Sequence, residues 1–287
     1  MKIVCLMENT ALSDNMLSEH GFSLYVETRK HKMLIDAGQS GAFAENAKTL
    51  GVDLSSVDVA MLSHGHYDHS GGLMTFSKIN NRAPIYMQIN AGGDYYHTND
   101  TLEKYIGIDK EILELPQVKF VDGNVRIDDE ISVFAGVKGR RHFPSGNLEL
   151  TRRIMTDEEG QGKQDGTGNY TFVQDDFSHE QYVVIEDDGK KILISGCAHN
   201  GILNILDEFK KIYSCDPDVV VSGFHLMKKN GYSQADEANI RAIAQELKTM
   251  NTTFYTGHCT GEEPFDIMKE IMTDNLQYVY SGRKIII

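Results

Sequence analysis

Ser63-His-Gly-His-Tyr-Asp-His-Ser-Gly-Gly72 places three histidines and an aspartate within six consecutive residues, directly after an apolar stretch that reads as a strand from Val57 to Ser63. Residues two apart on an extended segment project to the same side, so His64 and His66 can grip one ion. The chain then turns through Asp68 and His69 into a helix predicted to start near Gly71, which swings a carboxylate and a third imidazole toward a neighbouring position. Imidazole nitrogen and carboxylate oxygen suit Zn²⁺, with Fe or Mn²⁺ as alternatives, and one or two ions fit this ligand count. Glycines at 65, 71 and 72 let the backbone fold tightly around the site. A polar loop with chance histidines is the competing reading, but such a loop has no reason to gather ligand types at this spacing.

Working outward, short apolar strands alternate with stretches of helical periodicity, which predicts an α/β architecture. Strands are expected at Lys2–Leu6, Phe22–Glu27, Lys32–Asp36, Val57–Ser63 and Ala83–Gln88, then at Tyr182–Glu186, Lys191–Ser195, Val219–Ser222, Thr253–Thr256 and Leu276–Tyr280. Helices fit Gly41–Leu50, Gly71–Ile79, Gly201–Tyr213, Gln234–Met250 and Pro264–Thr273. Asp157–Asn169 has a loop composition and marks a seam. A similar order runs on both sides of it. Phe22–Glu27 with Lys32–Gly38 parallels Gln181–Glu186 with Lys191–Gly196, and Asp58–Ser63 leads to His64 as Asp218–Ser222 leads toward His225. Two similar halves packed sheet against sheet, with helices outside and a site where strand ends meet, follow from that duplication. Residues 1–287 are expected to form a single domain.

The composition sets outer bounds. With 28 basic and 42 acidic side chains the formal charge is −14, which disfavours nucleic acid as a partner. No run of about 18 apolar residues is available for a membrane span, and Met1–Thr10 lacks the apolar core of a signal peptide, so the expected location is the cytoplasm. Cys5, Cys197, Cys215 and Cys259 include no C-x-x-C pair and are expected to be thiols. Cys5 and Cys215 read as buried small hydrophobes; Cys197 and Cys259 lie near histidines and stay in consideration as site residues.

The His-x-His-x-Asp-His pattern after an apolar strand resembles the signature of the metallo-β-lactamase superfamily, and Leu34-Ile-Asp-Ala-Gly38 resembles that family's preceding strand end. More narrowly, His20-Gly-Phe-Ser, Gly196-Cys-Ala-His-Asn-Gly, Gly223-Phe-His-Leu and Thr256-Gly-His-Cys-Thr-Gly resemble the branch of dihydropterin-aminobenzene-phosphate synthase-like proteins. The resemblance implies an αββα sandwich with a metal site at one edge. It also implies that His64 and His66 hold a first ion, that Asp68 and His69 hold a second, and that His258 completes the second. The first ion needs another histidine. The usual bridging aspartate is missing, since Ser195-Gly-Cys197 stands there, and His199 resembles this branch's replacement. His179, His142 and a Cys197 thiolate are the alternatives. Asp36 reads as a carboxylate that orients a ligand imidazole, His225 as a cleft residue near the substrate, and His20, His31 and His97 as surface or core residues.

A metal ion would lower the pKa of bound water from about 15.7 to about 7 and so supply a hydroxide nucleophile, with Asp68 positioning it. The expected enzyme is a metal-dependent hydrolase acting on a small molecule. A basic island, Lys138, Arg140, Arg141 and His142 followed by Arg152 and Arg153, favours an anionic substrate, a phosphorylated one among them. Two other activities compete: the condensing reaction that the branch name implies, and the chemistry of a mononuclear-iron persulfide dioxygenase. The oligomeric state is left open.

Overall fold

The computed structural model describes residues 1–156, 169–229 and 231–287. The expected loop at Asp157–Asn169 therefore lies outside the described residues, apart from Asn169, which begins a strand.

Two seven-stranded sheets form the body. The first runs in the order Lys284–Ile286, Lys2–Met7, Ser23–Glu27, Lys32–Ile35, Val59–Met61, Ile85–Gln88, Val118–Val121. The second runs Leu276–Tyr278, Thr253–Thr256, Val219–Val221, Lys190–Ile194, Gln181–Asp187, Ile131–Ala135, Val125–Arg126. Starting from Lys2–Met7 in one sheet and Ile131–Ala135 in the other, successive pairings read antiparallel, antiparallel, parallel, parallel, parallel in both. The duplication expected from the sequence is thus a duplication of topology.

The strands are apolar on both faces because both faces are covered. Between the sheets, Ile3, Leu24, Met33 and Met61 meet Val183, Ile185, Ile194 and Val221. Outside the first sheet, helices Ala42–Leu50 and Leu73–Ile79 bury Phe43, Ala47, Leu73 and Phe76. Outside the second, Ile202–Tyr213, Gln234–Lys248 and Glu262–Met272 bury Leu206, Phe209, Ile243, Leu247 and Met268. The layers are α, β, β, α. Each predicted helix is present to within about two residues at its ends.

The sequence reading left Gln88 to Gln181 without elements, yet a third sheet forms there: Asn169–Gln174, Leu150–Thr156, Tyr95–Asn99, Leu102–Tyr105. These strands are polar and mostly half-exposed or exposed, so they lack apolar runs, and Val118–Val121, Val125–Arg126, Ile131–Ala135 and Lys284–Ile286 of the large sheets were missed as well. Cys215 is a correction: it is exposed, in the turn after Tyr213, whereas Cys5 is buried as expected. None of the described helices is long and apolar enough to cross a membrane.

Candidate metal centre

Strand ends from both sheets converge at one edge of the sandwich, and three of the converging residues, Asp36, His225 and His258, hold left-handed backbone with φ of 58°, 51° and 50°. Non-glycine residues in that region carry strain that surrounding structure must hold, and such positions gather at functional sites. The metal loop itself is clamped by close backbone approach. A Cβ on Gly71 would sit 2.1 Å from Gln39 O, and one on Gly72 would sit 2.1 Å from Ala37 O. His64 and His66 are not on a fully extended segment as expected, because His66 N–H donates to His64 O at 3.0 Å in a tight turn; their rings still lie 4.6 Å apart.

The histidines assemble in two groups. His64 Nε2 lies 3.3 Å from His199 Nε2, and the His66 ring centroid is 4.9 Å from that of His199. His69 Nε2 lies 3.2 Å from His258 Nε2, with Asp68 Oδ2 3.3 Å from His258 Nε2. Cys197 Sγ is 3.2 Å from His69 Nε2 and has ligand distances to both groups, His64 with His199 and His69 with His258. It stands between them.

The outward ring nitrogens of His64, His69, His199 and His258 are tied down. Ser63 Oγ donates to Asp36 Oδ2 at 2.7 Å and so accepts from His64 Nδ1 at 2.9 Å, while Asp36 Oδ2 also accepts from His69 Nδ1 at 2.6 Å. Asn147 donates its amide to His199 O, which leaves Oδ1 to accept from His199 Nδ1 at 3.0 Å. Asn9 does the same for His258, at 2.8 Å to Nδ1. With the protons on Nδ1, the Nε2 lone pairs of four rings face one another in couples at 3.2–3.3 Å, an arrangement that repels unless a cation lies between. His66 Nε2 is buried with no hydrogen-bond partner among the described residues. The residues present therefore fit one or two metal ions.

Electrostatics agree. Burial, then the neighbouring His69 and His66, hold the His64 imidazole well below its usual pKa; burial and His179 take His66 to about 3; burial and His225 depress His199. All three are neutral, the form that ligates. Burial acts against His69 too, but Asp36 and Asp68 outweigh it and raise its pKa. Burial would raise Asp68, yet His69, His20 and His258 keep it well below the carboxylate range. Burial pushes the Cys197 thiol up, so only a bound cation would hold it as thiolate.

The remaining sequence candidates separate cleanly. His179 is beside His66, but its Nδ1 accepts from Gly65 N–H at 2.9 Å and its Nε2 bonds Asp175 at 3.0 Å, so both nitrogens are used. His142 bonds Asn239 and faces Glu246, away from the cluster. His225 is partly buried, its ring 4.2 Å from that of His199, with Nδ1 enclosed and unpartnered. His31 pairs with Asp58 and Asp128, and His97 with Glu149.

His20, read from sequence as a bystander, is 3.2 Å from Asp68 Oδ2. Asn9, Ser63, Asn147 and Glu180 were also missed. Glu180 is fully buried and accepts from the His199 and Asn200 backbone N–H groups, fixing the His199 loop. Glu8 does likewise for the His258 N–H. Only Glu8-Asn9 left a trace in the sequence, as a polar pair that ends an apolar strand.

A family model described as "Metallo-beta-lactamase superfamily" matches residues 19–249. The chain belongs to the metallo-beta-lactamase superfamily. Across 98% of both chains it is 28% identical to an uncharacterised protein of Methanocaldococcus jannaschii. It is 27% identical to that organism's 7,8-dihydropterin-6-methyl-4-(beta-D-ribofuranosyl)-aminobenzene-5'-phosphate synthase, over 99% of this chain and 95% of the synthase. Among solved structures, Tm1679, a metal-dependent hydrolase of the beta-lactamase superfamily, aligns with a TM-score of 0.80 and 28% identity over 100% of this chain and 99% of its own. Zn²⁺-bound PqqB of Methylobacterium extorquens, at TM-score 0.53 and 10% identity over 100% of each chain, shares the fold. The αββα sandwich and the superfamily expected from the sequence are both found.

Proposed function

We propose that this superfamily member is a cytoplasmic metal-dependent hydrolase of small anionic molecules, with His64, His66 and His199 holding one divalent ion and Asp68, His69 and His258 a second. The observation that carries this reading is the facing of Nε2 lone pairs, His64 to His199 and His69 to His258, with every Nδ1 occupied elsewhere. Zinc suits the mixed nitrogen, oxygen and sulfur donors best. When bound, such ions lower the pKa of water to about 7 and polarise the bond to be cleaved. Cys197, within ligand distance of both groups, would hold a bound ion where an aspartate otherwise stands. Asp68, paired with His20 and 3.3 Å from His258 Nε2, orients the attacking water, and His225 lines the substrate side of His199.

Metal analysis and a rate screen over phosphodiesters, phosphomonoesters, lactones and thioesters test the assignment, with His66→Ala as control. Full rate in that variant sinks it. The synthase relative supports a second reading, condensation at the same centre, because it matches nearly the whole chain. Mass spectrometry separates the two, since hydrolysis adds water to one substrate whereas condensation joins two. A chain purified with a single iron and consuming oxygen with a persulfide would instead favour the dioxygenase chemistry.

A further inference from the structure

The basic island expected from the sequence is dispersed by the fold. Arg141 is consumed by Asp207 and Glu246 on the helical surface, and Arg140 bonds the Val137 and Gly139 carbonyls. Arg153 is paired with Asp94 at 2.9 Å and lies over the Tyr96 and Tyr170 rings. Arg152 differs. It makes no ion pair among the described residues of this acidic chain, whereas Arg153, whose Nε is likewise enclosed without a hydrogen bond, has Asp94.

The small sheet fixes where Arg152 points. Side chains directly opposite in antiparallel strands share a face, and Arg152 is opposite Tyr95. The Tyr95 ring packs 6.0 Å from His66 and 4.0 Å from His179. Leu150, two residues back and hence on the same face, is buried with Tyr95 and Phe177, and the Phe177 ring stacks on His199 at 4.7 Å. Arg152 is thus flanked on both sides by residues that lead to the first histidine group. On the same face, His97 lies opposite Lys104, whose Nζ sits 5.0 Å from the ring centroid of Tyr67, the residue before Asp68. Lys104 also has no acidic partner among the described residues. Arg153, one residue on, occupies the opposite face.

We infer that Arg152, with Lys104 beside it, is the oxyanion-binding subsite of the substrate pocket, engaging a phosphate or carboxylate group that does not itself react. This deepens the hydrolase reading and rests on it for the word substrate. The guanidinium's planar fork matches two oxyanion oxygens at once, and a half-buried cation without a partner recovers its desolvation only when an anion arrives. The third sheet then has a role: it carries the specificity group, while the two large sheets carry the metal ligands.

The test compares Arg152→Gln, Arg152→Lys and Arg153→Gln. Calorimetric titration of chelator-treated protein with inorganic phosphate and with succinate reads the subsite without turnover. The expected result is weakening of at least 10-fold in Arg152→Gln, partial recovery in Arg152→Lys, and no change in Arg153→Gln; whichever anion responds identifies the source. On zinc-loaded protein, Arg152→Gln should raise KM about 10-fold for 4-nitrophenyl hydrogen succinate, whose free carboxylate does not react, while kcat/KM for neutral 4-nitrophenyl acetate, which carries no anion for the subsite, and the zinc content stay unchanged. Wild-type affinity in Arg152→Gln, absence of binding by the native chain, or an equal loss on both esters overturns the subsite. Anion binding that depends on Arg152 in a protein that hydrolyses nothing would retain the subsite and remove the hydrolase.

Discussion

Asp36 Oδ2 lies 2.6 Å from His69 Nδ1, and both side chains are fully buried. The same oxygen accepts from Ser63 Oγ, which in turn accepts from His64 Nδ1, so one carboxylate sets the tautomer of an imidazole in each metal group. Partners of this kind commonly change metal affinity by about 10- to 100-fold. Asp36→Asn should therefore weaken both metal equivalents by that order, measured by chelator competition. Loss confined to one equivalent would mean that the Ser63 relay carries nothing.

His66 Nε2 is buried without a hydrogen-bond partner among the described residues. His66→Ala should lower metal content by about one equivalent and hydrolytic rate by two or more orders of magnitude, read by metal analysis and steady-state kinetics on the same preparation. Unchanged metal content would place His66 outside the coordination sphere.

Cys197 Sγ touches both groups. In cobalt-substituted protein, a thiolate-to-metal charge-transfer band in the near ultraviolet is expected, and Cys197→Ser should abolish it while retaining cobalt. A band that survives in Cys197→Ser but vanishes in Cys259→Ser would move the ligand to the neighbouring thiol, which lies against Cys197 O at 3.5 Å.

With its ring nitrogens on Gly65 and Asp175, His179 is a brace in the proposed ligand set. His179→Ala strips the Gly65 N–H of its buried acceptor, a loss of about 1–3 kcal/mol. A fall in thermal midpoint with metal stoichiometry intact is the expected outcome. Lost metal at unchanged stability would restore it as a ligand.

Acid should destabilise the metal-free protein. His64, His66 and His199 have folded pKa values below the unfolded value of about 6.5, so the unfolded chain takes up protons first as pH falls. The stability they contribute is present above about 6.5 and is lost progressively below it, down to about 3 for His66. His69 is raised and acts oppositely, but it is one group against three. Urea midpoints should fall between pH 7.5 and pH 5, and a flat profile would contradict the neutral buried imidazoles.

The sequence by itself determined the chemistry-bearing loop, the two-fold repetition of sheet and helix, and most of the residues that converge. His64 through His69 are contiguous, and the strands that aim them are apolar on both faces, so local pattern was enough. What it could not give was which of His142, His179, His199 and Cys197 keeps a ligand atom free to face His64. That depends on which nitrogens are already spent on Asn239, Gly65, Asp175 and Asn147, partners up to 114 residues away. His20 and Asn9 reach the site only because the first sheet brings the segment after Lys2–Met7 beside the His258 loop. Arg152 and Arg153 are neighbours with one charge and one composition. A strand's alternation sends one toward the metal edge and the other toward Asp94, and only the register of the small sheet decides which.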